Sequence, residues 1–281
     1  MTNDFAADVL ICGAGAAGLT LAIDLARRGV SFRLVEKMAR PFPGSRGKGI
    51  QPRTQEIFED CGILDRIVAA GGIYPPMRSY RDDGGFVETD FGERHEPTPA
   101  EPYQIPLMIP QFLTERIMRE RLAELGGRAE FGCELIAFEQ DAHGVTARLA
   151  GAKGEETVRV RYLVGADGGR SFVRHTLDID FPGKTLDVCA VVADVELTGL
   201  DRNAWHRFND GDMQHMMMMC PLAGTDFFQI QAPIPPDREI DLSPENLQRM
   251  IHERTARDDI RVHSVAWASA YAMNARPAER Y

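Results

Sequence analysis

The stretch Val9-Leu10-Ile11-Cys12-Gly13-Ala14-Gly15-Ala16-Ala17-Gly18-Leu19 decides how this chain is read. Four apolar residues in a row predict a short strand buried on both faces. From Ala16 the spacing changes: Leu19, Ala22, Ile23 and Ala26 recur at helical intervals, and Gly29 marks the stop. Phe32-Arg33-Leu34-Val35 predicts a second strand ending at Glu36. Two strands joined by one helix in so short a span make a βαβ unit with parallel strands. Between the first strand and the helix lies Gly-x-Gly-x-x-Gly, each glycine with its own task. Gly13 permits the tight turn, Gly15 lets backbone approach a pyrophosphate, and Gly18 allows close helix–strand packing. Ala14 and Ala17 fill the turn, and free N–H groups at the helix start face the phosphates. Glu36, with Lys37 beside it, stands where a carboxylate accepts hydrogen bonds from an adenosine ribose, and it would repel the 2′-phosphate of NADP. The motif in this context implies a bound dinucleotide, FAD or NAD.

The rest of the composition narrows the class. With 281 residues, 44% apolar and 26% charged, the chain can bury a core of its own and has room for two domains. A net charge of −10 with scattered arginines argues against nucleic acid as a partner. The five cysteines are odd in number and widely spaced, without Cys-x-x-Cys or His-Glu-x-x-His, so neither a metal site nor a disulfide framework is expected. The start carries acids rather than a basic region before an apolar stretch, and no apolar run approaches the ~18 residues of a membrane span. A cytoplasmic protein without membrane contact is the expectation.

Further along, Pro41 to Gly49 reads as a loop and a helix is expected from about Arg53, with Ile57 and Phe58 facing inward. Tyr80 to Phe91 alternates around Asp82-Asp83-Gly84-Gly85 as a hairpin turn. Gln111 to Leu125 is expected to be a helix, apolar at Leu113, Ile117, Met118, Leu122 and Leu125 and stopped by Gly126-Gly127. Strands are predicted near 130–139, 144–150 and 155–164, the last running into Leu163-Val164-Gly165-Ala166-Asp167-Gly168. Beyond Pro182 the runs Val188 to Leu197, His215 to Leu222 and Phe227 to Ala232 predict a sheet-rich half with one helix over Pro244 to Thr255. The fold class is α/β: a Rossmann-like nucleotide-binding domain with a mixed parallel sheet over 1–77 and 105–182, plus a sheet-rich α+β domain over 78–104 and 183–281.

Gly165-Ala166-Asp167-Gly168-Gly169-Arg170-Ser171-Phe172-Val173-Arg174 carries the resemblance that separates FAD from NAD. It resembles the FAD-dependent aromatic hydroxylases, the single-component flavoprotein monooxygenases of the para-hydroxybenzoate hydroxylase type. Gly44-Ser45-Arg46-Gly47 and Gln51-Pro52-Arg53-Thr54-Gln55-Glu56-Ile57-Phe58 follow in the family's order. The resemblance implies bound FAD, a transient NAD(P)H donor, and hydroxylation of an aromatic substrate with O2 through a flavin hydroperoxide. It places Asp167 and Gly168 near the FAD ribose and pyrophosphate, Gln111 on ribityl or ribose hydroxyls, and the main chain of Leu135 at the adenine. Arg46 falls beside the flavin edge, where a guanidinium neutralises phosphate charge, and is the one residue expected next to the chemistry. Substrate contacts are sought in the soft segment from Met213 to Cys220: His215, with Met216 and Met218 on one face of a strand. Trp205, Phe227, Phe228 and Trp267 read as core. The family's later Gly-Asp segment is not among these residues, so the expectation is of an amino-terminal portion. The other readings are a non-catalytic FAD-binding fragment, a flavin reductase or halogenase on the same scaffold, and a plain NAD dehydrogenase. The halogenase is opposed by the lack of a Trp-x-Trp-x-Ile motif, and the dehydrogenase by Asp167-Gly168. The substrate's identity, the choice of NADH or NADPH and the oligomeric state stay open.

Overall fold

A computed structural model describes residues 5–280, except 82, 93–95, 213 and 236–239. Asp82 of the expected hairpin turn, Met213 of the soft segment and the final Tyr281 therefore lie outside the described residues.

In chain order the first half contains β1 (Ala7–Cys12), α1 (Ala16–Arg27), β2 (Phe32–Glu36), β3 (Gly49–Ile50), α2 (Pro52–Asp60), α3 (Leu64–Ala70), β4 (Gly72–Ile73), β5 (Met77–Tyr80), β6 (Phe86–Thr89), β7 (Leu107–Met108), α4 (Gln111–Glu124), β8 (Ala129–Phe131), β9 (Glu134–Asp141), β10 (Gly144–Gly151), β11 (Gly154–Gly165) and α5 (Phe172–Thr176). The second half holds β12 (Lys184–Thr198), β13 (Trp205–Phe208), β14 (Met217–Pro221), β15 (Phe228–Ile234), α6 (Pro244–Thr255) and β16 (Arg261–Ala275).

One six-stranded sheet runs β8-β2-β1-β11-β10-β9. Its first four strands are parallel and its last two antiparallel. The continuous apolar run of β1 is explained by two cores, one on each face. Val9 and Ile11 join α1 and α4 on one side, and Leu10 joins Val35, Leu135 and Leu149 on the other. Each such fully buried side chain stabilises by about 1.5–3 kcal/mol. α1 buries Gly18, Leu19, Ala22 and Ile23, the spacing read from the sequence. α4 buries Leu113, Ile117, Met118 and Leu122 and takes two polar residues, Thr114 and Glu115, inside with them.

A seven-stranded sheet runs β16-β12-β15-β14-β13-β5-β6, antiparallel except where β13 meets β5. One of its faces packs on α6 through Val191, Val195, Met217, Met219, Ile230, Leu247 and Ile251. The β5–β6 hairpin is thus an extension of this second sheet, and the small sheet β3-β7-β4 is formed by the segments on either side of it.

Three expectations need correction. The strand read over 130–139 is two strands: β8 continues the parallel sheet, and β9 pairs antiparallel with β10. Gly132 makes the break at φ +68°, its N–H bonding Met38 O at 2.8 Å while Cys133 N–H bonds Glu36 O at 3.0 Å. In α2, Phe58 is buried but Ile57 is 40% exposed. Gln55 points inward instead, because its amide reaches the Ile105 carbonyl at 2.7 Å. Finally, β14 begins at Met217, so His215 and Met216 belong to the preceding turn rather than to a strand face.

Candidate functional site: a dinucleotide cradle beside a polar sheet face

Gly13 takes φ +106°, and a methyl there would run into the Ala166 carbonyl and come within 2.9 Å of Asp167 N. Ala166 N–H in turn donates to Cys12 O at 2.7 Å. The two glycine-containing turns, Gly13–Gly18 and Asp167–Gly168, therefore lie side by side at the carboxyl ends of β1 and β11, the end of a parallel sheet where ligands bind. Gly18 packs on the Gly13 carbonyl, so neither glycine has room for a side chain. Gly15 is different: a methyl there would meet only Glu115 Oε1, at 3.9 Å. It is the N-cap of α1, with no side-chain cap and no acid in the first turn. The helix start thus presents backbone N–H donors and the positive end of its dipole, with the Glu115 carboxylate already set against Ala16 N–H. Ala17 is exposed there, and Ala14 N–H donates to Glu36 Oε2 at 3.0 Å. Met38 N–H holds the other Glu36 oxygen at 3.0 Å, which fixes the carboxylate at the end of β2. Lys37 is exposed beside it.

The Asp167 carboxylate is engaged within its own turn, accepting Ser171 Oγ–H at 2.5 Å and Val173 N–H at 3.1 Å. Ser171 Oγ caps α5 by accepting Arg174 N–H at 2.9 Å. What this turn offers outward is backbone: Gly168 has φ +78° and open space where a side chain would be.

Gln111 joins the cradle to the loop that carries Arg46. Its backbone N–H donates to Gly47 O at 3.0 Å and its side-chain amide to Glu115 Oε1 at 2.7 Å. Glu115 is 3% exposed, and burial pushes its carboxyl up while the bond from Gln111 and the charge of Arg119 oppose the shift. Arg46 itself is exposed at the loop apex, its guanidinium 4.3 Å over the Phe42 ring. Leu135 is separate from this group: its side chain is 4% exposed in the core under β10, leaving main chain at the sheet edge.

The loop lies on the face of the second sheet opposite α6. Ser45 N–H donates to Asp194 Oδ2 at 2.8 Å, Lys48 Nζ to Gln229 Oε1 at 2.7 Å, and Gln229 Nε2 to Ser45 O at 2.6 Å. Phe42 packs edge-on against Trp267 at 5.4 Å. Directly paired residues share a face, so the same face carries Arg207, Met218, Gln231, Val192 and Ser269 in one row across five strands. Met218 is half-buried in that row. His215 is outside it, exposed in the turn before β14 and bonded through Nδ1 to Asp212 at 2.7 Å, with Met216 next to it. An open cleft of about 490 Å³ beside Ile73, Met108 and Arg202 is lined by none of the candidates.

Four polar residues of this region were missed in the sequence: Lys48, Glu115, Asp194 and Gln229, all buried. A carboxylate inside the run Ala190-Val191-Val192-Ala193-Asp194-Val195 was the available signal, as was Glu115 one helical turn after Gln111. Trp205 is also more than core: it stacks on Phe91 at 5.3 Å and carries the Lys48 ammonium 4.3 Å above its ring.

The profile of a family described as "FAD binding domain" matches residues 6–281. The chain belongs to that family. This FAD-binding chain is 36% identical over 279 residues to a flavin-dependent monooxygenase of Mycobacteroides abscessus, a match covering 97% of it and 59% of that relative. It is 33% identical over 290 residues to a 12-dehydrotetracycline 5-monooxygenase/anhydrotetracycline 6-monooxygenase of Streptomyces rimosus, covering 98% and 55%. Among solved structures it superposes on the flavin-dependent monooxygenase PieE in complex with FAD and substrate, with TM-score 0.82, 28% identity and coverage of 98% and 51%. It also superposes on aklavinone-11 hydroxylase in a ternary complex with FAD and aklavinone, with TM-score 0.80, 29% identity and coverage of 99% and 56%. The chain spans a little over half the length of these relatives. Among the described residues no helix is long and apolar enough to cross a membrane, and no group of metal-ligating side chains is present.

The residues fit FAD. The start of α1 with its dipole, a glycine with free space above it at Gly15, and a carboxylate fixed at the end of β2 match a pyrophosphate flanked by an adenosine ribose.

Proposed function

We propose that this chain is the FAD-binding and substrate-facing portion of a monooxygenase that hydroxylates an aromatic compound with NAD(P)H and O2. One observation carries the reading: the Gly13–Gly18 and Asp167–Gly168 turns meet at one sheet end, and Gln111 ties that end to a loop laid across the second sheet. Bound FAD supplies the two-electron centre that accepts hydride from NAD(P)H and passes electrons on to O2.

In this reading Gly13, Ala14, Gly15, Ala17 and Gly18 hold the pyrophosphate, Glu36 and Lys37 the adenosine ribose side, and the main chain of Leu135 the adenine. Asp167 shapes the turn whose backbone, at Gly168, approaches the flavin half of the cofactor. Gln111 addresses ribityl hydroxyls, and Arg46 stands at the flavin edge to orient it and to balance negative charge. The row Arg207, Met218 and Gln231 forms the floor for a flat substrate: Met218 adapts to a ring, while the other two offer polar ends. Fused aromatic rings suit so long a floor, and the relatives named for tetracycline and aklavinone chemistry support that class. His215 and Met216 take no part. Segments 1–77 and 105–182 make the FAD-binding half, 78–104 and 183–281 the substrate half, in a reducing cytoplasmic setting that suits five free thiols.

The test is to titrate the purified protein with FAD, then follow NAD(P)H oxidation with phenolic and fused-ring compounds under isotope-labelled O2. Substrate-stimulated oxidation with label in the organic product is expected. FAD binding without any aromatic compound that stimulates oxidation would overturn the hydroxylase assignment, and no FAD binding would overturn the whole reading.

A further inference from the structure

Arg46 stands exposed between two buried neighbours. Ser45 is 0% exposed and Lys48 7% exposed, and both are bonded to the second sheet, Ser45 through its backbone N–H and Lys48 through its ammonium. The sheet side of this contact is equally buried: Asp194 and Gln229 are each 1% exposed and occupy adjacent strands in register. Gln229 is the hub. Its carbonyl accepts the Lys48 ammonium at 2.7 Å and Gln231 Nε2–H at 3.0 Å, while its amide donates to Ser45 O at 2.6 Å and to Asp194 Oδ1 at 3.3 Å. The Lys48 ammonium also lies over the Trp205 ring. Outside these bonds, Gly47 O accepts Gln111 N–H and Lys48 O accepts Ile109 N–H, so the loop is bonded on both sides of its apex.

A buried cation and a buried carboxylate joined through an amide are a costly way to hold two surfaces together, and well-packed apolar groups would serve stability as well. What polar bonds add is direction: each admits one register of loop on sheet. We propose that Lys48, acting through Gln229 and Asp194, is a positioning residue that sets where Arg46 stands relative to bound flavin. Because Gln231 on the substrate floor bonds the same Gln229 carbonyl, the lock also joins the floor to the Arg46 loop. The inference rests on the reading above that Arg46 borders the flavin.

The test is a double-mutant cycle on the FAD-loaded protein, with Lys48→Met, Arg46→Ala and their combination. The readouts are the FAD dissociation constant and the visible absorbance bands of bound flavin. Each single change is expected to weaken FAD by roughly tenfold and to shift the bands, and the double variant to be no worse than the stronger single one. Lys48→Arg should restore the wild-type bands in part, since it keeps a buried cation. If Lys48→Met does not accumulate as folded protein, Gln229→Glu takes its place in the cycle: it still accepts from Lys48 but no longer donates to Ser45 O. Losses that multiply in the double variant, or an unchanged spectrum and affinity in Lys48→Met beside a weakened Arg46→Ala, would overturn the positioning role alone. A silent Arg46→Ala would overturn both it and the placement of Arg46.

Discussion

The glycine turn offers a perturbation whose two consequences the structure separates. Gly15→Ala places a methyl where only Glu115 Oε1 stands, 3.9 Å away, on a residue whose φ of −76° suits alanine. The fold should barely notice: an N-cap glycine replaced by alanine, offset by a stiffer unfolded chain, changes stability by less than about 1 kcal/mol. In the proposed placement of FAD the methyl would stand between the pyrophosphate oxygens and the N–H groups of α1. Losing one such charge-assisted bond costs about 1.5–3 kcal/mol, and 1.4 kcal/mol is a factor of ten, so FAD should bind roughly 10- to 150-fold more weakly. Gly18→Ala is the opposite case. Its methyl would stand 1.9 Å from the Gly13 carbonyl oxygen and 3.3 Å from Leu34 Cδ1. Carbon contacts need about 3.5 Å, so α1 would have to retreat from β1 by more than an ångström, at a cost of about 1–3 kcal/mol or above. Flavin fluorescence titration and urea unfolding of the cofactor-free chain read the two effects independently. A Gly15→Ala variant that binds FAD as tightly as wild type would refute the placement of the pyrophosphate. A Gly18→Ala variant with unchanged unfolding midpoint would refute the packing on which the βαβ unit is argued.

Other outcomes follow from single contacts. Ser171→Ala removes the cap of α5 and the donor to Asp167, and should cost about 1 kcal/mol in chemical denaturation while weakening FAD through a looser Asp167–Gly168 turn. Ile251→Ala empties a fully buried position on α6, in the separate core of the second sheet, and should cost about 2–5 kcal/mol with FAD affinity unchanged once the protein is folded. Met218→Ala should weaken an aromatic substrate several-fold, whereas His215→Ala should leave substrate affinity alone, measured by flavin spectral titration; a strong His215 effect would move the substrate floor. Glu115 gives a pH signature. Burial raises its folded-state pKa above 4.5, so the folded chain keeps the proton to higher pH than the unfolded chain does. Its contribution is therefore most favourable below that value and declines as pH climbs through the raised one. Urea midpoints of wild type and Glu115→Gln should diverge in favour of the variant as pH rises above 4.5, and parallel curves would argue that folding does not raise the Glu115 pKa.

Legibility followed the length scale of the interactions. The βαβ unit could be read because its signals are local: an apolar run, a glycine turn and a helical spacing, each enforced by backbone sterics within thirty residues. Asp167–Gly168 was read from its resemblance to a family motif, and the capping of that turn by Ser171 became visible only in the structure. The break at Gly132 was hidden because it depends on Met38 and Glu36, two backbone partners nearly a hundred residues upstream. Ile57 was misplaced because α2 has apolar and polar candidates for the same inward position, and the buried amide of Gln55 won through the Ile105 carbonyl.

The polar residues on the second sheet show why a cofactor site is harder to read than a cofactor motif. Asp194 in an apolar run contradicts the pattern of a core strand, and the usual inference is an exposed edge. The contradiction dissolves once loop 44–48 covers that face, because the carboxylate then accepts Ser45 N–H and burial holds it at 1% exposure. Neither strand nor loop predicts the other. Each is locally inconsistent, a charge in a strand and a lysine between two glycines, and the two inconsistencies cancel only in space. Paired violations of this kind are where specificity resides: residues that stabilise little by themselves define one register of loop 44–48 on the sheet, and with it the position of Arg46 between Ser45 and Lys48.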